Sequence, residues 1–211
     1  EAGYVTALGS SHAASDAWTI ECVTDVVTAH EAFAALKEDG SVIAWGDPKF
    51  GGDAGELQEH LREGVKEVVA IENAFAALKE DGSVITWGAA EELGDSSRVL
   101  EHLREGVKQV VPAENAFAAL KKDGSVITWG LADYGGDAGG VLEELREGVK
   151  VVVAARHAFA ALKEDGSVIA WGHAEWGGDS ALATHEGARD LLERKQLFRG
   201  VKEVVAADYA F

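Results

Sequence analysis

The stretch NAFAALKEDGSVITWG, residues 73–88, decides the fold of this chain, because nearly identical stretches begin at Glu31, Asn115 and His157. The Trp-Gly pair that closes each stretch recurs every 42 residues, at Trp45, Trp87, Trp129 and Trp171. A period of this length indicates a repeat array, in which each unit buries its apolar face against its neighbours. The repeated positions are therefore expected to build the scaffold, and binding is expected at irregular positions and loops.

Within one unit, small and apolar residues alternate on both sides of an Asp81-Gly82 pair, which predicts a β-hairpin. We expect this pair to form a two-residue type I′ turn with positive φ angles. Such a turn sets Leu78 opposite Ile85 and Ala76 opposite Trp87, where the small alanine leaves room for the indole. The tryptophan face is then expected to be the core, together with the matching phenylalanines Phe33, Phe75, Phe117 and Phe159.

A glycine-rich link follows each hairpin and ends in an aspartate, such as Asp53. Apolar residues then recur with helical spacing, as at Leu57 and Leu61, and Asp53 with Glu56 fits a capping box at the start of a short helix. The next segment, VKEVVA at residues 65–70, is rich in valine and predicts a strand. Each unit is therefore expected to hold three strands and one short helix.

These motifs together resemble the regulator-of-chromosome-condensation repeat, in which a VxxV strand leads to an alanine- and leucine-rich strand, a turn of the type EDGxV and a closing WG. The matching residues of one unit are Val65, Val68, Ala77, Leu78, Asp81, Gly82, Val84, Trp87 and Gly88. The match recurs in four units and covers most of the chain. The resemblance implies a β-propeller whose blades radiate about an axis. The family's repeats are longer, and its Gly-x-Leu-Gly loop is replaced here by Gly-Gly-Asp and the predicted helix.

The two ends of the chain look like complementary halves of one further unit. Residues 4–9 resemble the second strand of a hairpin, and residues 207–211 resemble the start of the first. Paired with each other, they would close a ring that leaves no exposed edge strand. The expected fold is mainly β with short helices, one repeat domain over residues 1–211, closed as a propeller-like ring of about five units. Its units are residues 23–64, 65–106, 107–148 and 149–200, with a split unit formed by 1–22 and 201–211, and an open α/β solenoid is the alternative.

The chain is strongly acidic, with 37 acidic against 19 basic residues and a formal net charge of −18. Such a charge repels phosphate backbones and anionic lipids, so we expect no nucleic-acid partner and no binding to bare membranes. No apolar run approaches the roughly 20 residues that span a bilayer, which indicates a soluble chain without direct membrane insertion. Peripheral membrane association through a protein partner stays open. Methionine is absent even at position 1, which suggests a processed product or a fragment, so the compartment is unknown and an organelle after processing is one option.

Two places break the regularity of the repeat and are the expected binding elements. Trp171 and Gly200 are 29 residues apart where the other units need 19, so residues 173–199 carry an insertion. This insertion is either a longer amphipathic helix packed on its own blade or an element that docks a partner. The first link is shortened instead. The predicted partner-binding residues are His173, Trp176, His185, Leu191, Leu192, Leu197, Phe198 and Trp18.

We expect no catalytic, cofactor-binding or metal-binding residue, and therefore no enzyme and no cofactor. Ser83 and its copies follow an Asp-Gly turn, where serine serves the turn rather than nucleophilic catalysis. His60 and His102 lie among glutamates, as on a solvated helix face. The Gly-Gly-Asp links offer too few oxygens for Ca²⁺, which takes roughly six to eight, and their aspartates are expected to cap helices. The single cysteine, Cys22, is expected to be a buried, inert thiol.

These features favour a non-catalytic protein-interaction module, which we expect to be a scaffold or accessory subunit of a larger assembly with a protein partner. The repeats of this chain are similar to near-identical repeats in algal proteins. A peripheral subunit of a plastid membrane complex is therefore one such role. The family resemblance implies an alternative, a guanine-nucleotide exchange factor-like regulator of a small GTPase. A carbohydrate-binding propeller that uses Trp18 or Trp176 is another alternative, and a designed consensus array is a further one.

Overall fold

Antiparallel strands dominate the structure, as the alternation of small and apolar residues predicts. This computed structural model describes residues 3–7, 18–89, 99–178 and 202–206. The chain divides into two compact units, each larger than one 42-residue repeat: a first unit, Glu1–Asp95, and a second unit, Ser96–Phe211. The described residues form four antiparallel sheets with short helical turns between them, which confirms a mainly β fold with short helices.

The first unit contains two sheets. In one, β1 (Gly3–Ala7), β2 (Trp18–Thr28), β3 (Ala32–Lys37) and β4 (Val42–Gly46) lie in the order of the chain. In the other, β5 (Val65–Ala70), β6 (Ala74–Lys79) and β7 (Val84–Gly88) do the same. The second unit also contains two sheets, formed by β8 (Val107–Pro112), β9 (Ala116–Lys121) and β10 (Val126–Gly130), and by β11 (Val149–Ala154), β12 (Ala158–Lys163) and β13 (Val168–Gly172).

The predicted register of the hairpin is wrong by one residue. Ala76 does not lie opposite Trp87, nor Leu78 opposite Ile85. The observed pairs are Phe75–Trp87, Ala76–Thr86, Ala77–Ile85 and Leu78–Val84. A one-residue shift exchanges the neighbours across the hairpin. It sets the phenylalanine and tryptophan rings of each 42-residue repeat side by side.

The cause of this shift is the length of the turn. The loop has three residues, 80–82, because Lys79 N donates to Ser83 O at 2.9 Å and Gly82 N donates to Lys79 O at 3.0 Å. Only Gly82 has a positive φ, of 84°, whereas a type I′ turn would require one at Asp81 as well. The Asp81 carboxylate instead accepts bonds from Ser83, which favours the three-residue turn with its left-handed glycine.

Two of the buried aromatic pairs are covered by the link from the preceding sheet of their own unit. The rings of Phe75 and Trp87 stack with centroids 5.2 Å apart and planes 13° apart. Trp87 Nε1 donates to Gly51 O at 3.0 Å. A Cβ atom at Gly51 would lie 2.8 Å from the Phe75 ring, so the link can cross the pair only with glycine there. The same bond joins Trp171 to Gly135 in the second unit, at 3.1 Å.

The core of the first unit lies between its two sheets. Small side chains of one sheet, such as Ala32 and Ala34 of β3, pack in one cluster with the aromatic pair of the next. The cluster contains Ala32, Ala34, Leu36, Val42, Ala54, Leu61, Val65, Val68, Phe75, Ala77 and Trp87. Three of the four phenylalanines are fully buried, as predicted, but Phe33 is 38% exposed.

The predicted helices are shorter and tighter than expected. The link after Asp53 forms a 3₁₀ helix over Gly55–Leu61, and its counterpart in the second unit is a single α-helical turn, Leu100–Leu103. The capping box is wrong in detail: Asp53 Oδ1 accepts from Gly55 N at 2.8 Å, and Ala54 is the N-cap residue. A segment of this length is marginal as a helix, so its ends are held by local turns.

Cys22 is exposed, which contradicts the predicted buried thiol. It also has a positive φ, of 60°, in the conformation that Gly64, Gly106 and Gly148 adopt at the equivalent positions. Its carbonyl accepts a bond from Glu38 N at 2.8 Å, as the Gly64 carbonyl does from Glu80 N. The side chain points out of the core because the backbone follows the path that the repeat sets for glycine.

β1 pairs with the first half of β2, with Val5 opposite Ile20. It thus adds a fourth strand at the edge of the first sheet. The expected pairing of residues 4–7 with residues 209–211 involves a segment that lies outside the described residues. Ring closure and the count of about five units remain predictions.

Candidate functional site

The two ends of the sheets differ in how far the repeats agree. At one end, every hairpin turn has the sequence Asp-Gly-Ser. Asp81 Oδ1 accepts bonds from the Ser83 hydroxyl at 2.7 Å and from Ser83 N at 2.8 Å. These bonds, the hydroxyl bond above all, lower the pKa of the Asp81 carboxyl, and the same bonds lower the pKa of Asp39 and Asp123. These turns are repeated structural elements.

At the opposite end, the repeats disagree. The loop between the first two strands of each 42-residue repeat carries His30-Glu31, Glu72-Asn73, Glu114-Asn115 or Arg156-His157. A short helical turn follows the last strand of each repeat, and the turns that the structure describes end in Phe50, Tyr134 and Trp176. Positions that vary within an otherwise constant repeat are released from the packing that fixes the rest. They mark this end as the candidate binding surface.

In the second unit these variable side chains meet in an aromatic cluster of Tyr134, His157, His173 and Trp176. The His157 ring stacks on Tyr134 with centroids 4.7 Å apart, and the Trp176 ring lies tilted by 36° against it with centroids 4.4 Å apart. Both the Tyr134 ring and the Trp176 ring therefore pack against His157. His173 meets both His157 and Trp176 edge-on, with centroids 6.3 Å and 6.2 Å away.

An ion pair borders the aromatic cluster. Arg156 donates from Nη2 and Nε to Glu114 Oε1 at 2.6 Å and 2.9 Å. His157 Nε2 lies 3.2 Å from Glu114 Oε2, so one carboxylate joins two residues of the neighbouring loop. The backbone adds a bond from Glu114 N to Arg156 O at 3.0 Å. A small pocket of about 360 Å³ opens beside this pair, lined by Pro112, Ala113, Glu114, Ala154, Arg156 and Ala206.

The link turns bring these side chains together. The turn Ala132–Tyr134 follows β10 and ends at Gly135, whose carbonyl is bonded to Trp171 of the next sheet. It thereby carries Tyr134 from one sheet onto His157 in the loop between β11 and β12 of the next. The turn Ala174–Trp176 follows β13 and brings its tryptophan back onto the His157 of its own sheet.

The first unit carries a smaller version of the same arrangement. His30 stacks on Phe50 with ring centroids 5.0 Å apart. His30 N donates to Glu72 O at 3.0 Å, which is the counterpart of the bond between Glu114 and Arg156. The aromatic cluster of the second unit has four rings and an ion pair, so it offers the richer recognition surface.

The chemistry of the aromatic cluster suits recognition. It presents aromatic rings beside the guanidinium group of Arg156, and aromatic residues and arginine are enriched at protein interfaces. Tyr134, His157, His173 and Trp176 are half-buried and Arg156 is exposed, so the cluster is open to a partner. Within the described ranges, no group of three or more histidine, cysteine or acidic side chains is arranged to hold a metal ion. None of the described helices is long and apolar enough to cross a membrane.

The structure places two of the eight predicted partner-binding residues in the cluster, His173 and Trp176. Trp18 begins β2. The remaining five, His185, Leu191, Leu192, Leu197 and Phe198, lie outside the described residues. Sequence reasoning missed Glu114, Tyr134, Arg156 and His157, although a column-by-column comparison of the units shows that these columns vary.

Comparisons with known proteins identify the fold. No protein-family model and no curated protein sequence matches the chain. The structure of human WBSCR16 is similar with a TM-score of 0.50 and 21% identity, over 71% of this chain and 47% of that one. Prp20p from Saccharomyces cerevisiae, described with its binding properties to Gsp1p and histones, is similar with a TM-score of 0.50 and 19% identity, over 75% of this chain and 48% of that one.

The same yeast protein, RCC1 (Prp20), bound to Kap60, has a TM-score of 0.48 and 17% identity, over 73% of this chain and 46% of that one. The chain spans about half the length of the structures it resembles. At these identities the likeness concerns the fold alone. The chain thus shares its fold with RCC1-like β-propeller proteins.

Proposed function

We propose that this chain is a non-catalytic protein-interaction module, a scaffold or accessory subunit that binds a protein partner through the variable end of its sheets. The observation that carries this proposal is the contrast between the two ends. The Asp-Gly-Ser turns are constant in every unit, whereas the variable end gathers four rings and an ion pair in the aromatic cluster. A repeat that is constant at one end and varies at the other is organised for recognition at the variable end.

The fold supports this proposal. The yeast protein with the same fold is described as binding Gsp1p and histones, so at least one protein of this architecture binds other proteins. The family resemblance suggests a second candidate function, an exchange-factor-like regulator of a small GTPase. A peripheral role in a plastid membrane complex is a more specific form of the accessory-subunit proposal.

Affinity capture followed by mass spectrometry tests the proposal. The full chain would be used as bait beside the variant Tyr134→Ala/Trp176→Ala, which removes both rings that hold His157. The matched control is Ser83→Ala/Ser125→Ala, which changes the constant end. We expect the cluster variant to lose the partner and the control to retain it. Equal retention by both variants would overturn the assignment, and a nucleotide-free GTPase among the captured proteins would favour the exchange factor.

A second part of the proposal is that the insertion over residues 173–199 helps to dock the partner, and a shortened variant tests it. Shortening it to the 19-residue spacing of the other units, with His173 and Trp176 kept, should preserve folding because surface insertions are tolerated where the surrounding packing is intact. If the insertion docks the partner, capture should weaken while the unfolding transition stays unchanged. Full capture by the shortened protein would restrict the docking site to the aromatic cluster.

A further inference from the structure

Two acidic side chains stand beside the aromatic cluster. Asp133 precedes Tyr134, and Glu175 precedes Trp176, in link turns that occupy equivalent places in successive 42-residue repeats. Both acids are exposed. Because Tyr134 and Trp176 both pack against His157, the two turns that carry these acids meet at one histidine.

These two acids are not neutralised. Neither has an ion pair or a side-chain hydrogen bond within the described part of the chain. Other acids of the same unit are paired: Glu101 with Arg104 at 2.8 Å, and Glu143 with Arg146 at 2.9 Å. An unpaired carboxylate at the rim of an aromatic surface is available to a cation from outside the chain.

Arg156, the cation described beside the aromatic cluster, is already bound within the protein. The Arg156 guanidinium donates twice to Glu114, so its charge is offset within the protein. The charge that the cluster presents to a partner is therefore negative, and the net charge of −18 acts in the same direction at longer range.

We propose that the aromatic cluster binds a cationic segment of a protein partner, whose lysine or arginine side chains pair with Asp133 and Glu175 and pack against Tyr134 and Trp176. This inference rests on the proposed function and names the chemistry of the partner. Arginine suits such a surface best, because its guanidinium group can bind a carboxylate and stack on an aromatic ring at once. The alkyl stem of either cation can cover the half-buried rings.

The equivalent link turn of the first unit already contains a lysine. Lys49 precedes Phe50 at the position that corresponds to Asp133 and Glu175. A lysine is thus compatible with this turn, so Asp133→Lys/Glu175→Lys should fold while reversing the charge of the surface. The matched control is Glu105→Lys/Glu147→Lys, which makes the same charge change at exposed acids that precede Gly106 and Gly148, away from the rings.

The experiment titrates the full chain with an acetylated, amidated peptide of arginines spaced by glycine pairs, and with a twin in which glutamine replaces arginine. Binding is followed through the indole N–H resonance of Trp176, assigned with Trp176→Phe. We expect the arginine peptide to bind and the glutamine twin to fail. Asp133→Lys/Glu175→Lys should weaken the peptide about tenfold, and the control about twofold or less, because distant charges are screened.

Two results would overturn the inference. One is equal binding of the arginine and glutamine peptides. The other is equal weakening by both lysine variants, which would mean that the peptide responds only to net charge. A parallel capture of the native partner separates this failure from failure of the proposed function: Tyr134→Ala/Trp176→Ala would still lose the partner, while Asp133→Lys/Glu175→Lys would retain it.

Discussion

At the scale of single residues, Cys22 shows what the repeat demands of the backbone. Its φ of 60° lies in the left-handed region, which costs a residue with a Cβ atom roughly 1–2 kcal/mol. Cys22→Gly should therefore raise the free energy of unfolding by about 1 kcal/mol. Denaturant unfolding measures it, with Cys22→Ala as the control that removes the thiol and keeps the strain. A stability gain that the alanine variant matches would locate the effect in the thiol.

The aromatic pairs offer a matched test of burial. Trp87 is 4% exposed and bonded to Gly51, so Trp87→Ala should lower the free energy of unfolding by roughly 3–5 kcal/mol. Trp129, which is 3% exposed, should behave similarly. Trp45 stacks on the exposed Phe33 and is itself half-buried, so its alanine variant should cost about half as much. Losses below about 1 kcal/mol at both buried positions would contradict the assigned core.

At the scale of elements, the hairpin turns make stability depend on acid pH. In the folded chain, hydrogen bonds from serine lower the pKa of Asp39, Asp81 and Asp123. A carboxylate with a lowered pKa stabilises the fold above the ordinary aspartate value of about 3.9, and this contribution disappears as pH falls below it.

Asp39→Asn/Asp81→Asn/Asp123→Asn should therefore be less stable than the parent at neutral pH and should lose less stability between pH 5 and pH 2, a window of about three units around the aspartate pKa. Denaturant unfolding across that window is the measurement. Parallel pH profiles for parent and variant would show that the turns do not contribute to acid sensitivity.

The elements also show where sequence reasoning succeeds and fails. Strand positions follow from alternation and valine content, because burial on the pleated surface fixes them. The register did not follow, since Asp-Gly is compatible with a two-residue or a three-residue turn and the Ser83 bonds to Asp81 select the longer one. The links were assigned as helices because i, i+4 spacing does not separate a 3₁₀ turn from a short α-helix.

At the scale of the whole molecule, the repeat explains why the scaffold was easier to predict than the site. Positions such as Phe75 recur because each copy meets the same packing, so one unit predicts the others. The aromatic cluster depends on contacts between Tyr134 and His157, which lie in successive 42-residue repeats, and neither repeat alone indicates the contact. Only the three-dimensional path of the link turn joins them.

Ring closure is the last prediction, and it concerns both ends of the chain. β1 pairs with β2 on one side and has no other partner strand within the described residues, so its outer edge can accept residues 209–211. In a Cys22→Ala background, Val5→Cys combined with Ala210→Cys should then form an intramolecular disulfide, since strand neighbours satisfy its Cα separation of about 4.4–6.8 Å. Non-reducing mass spectrometry detects it. Each single-cysteine variant is the control, and failure of cysteines at 209, 210 and 211 alike to cross-link would favour the open solenoid.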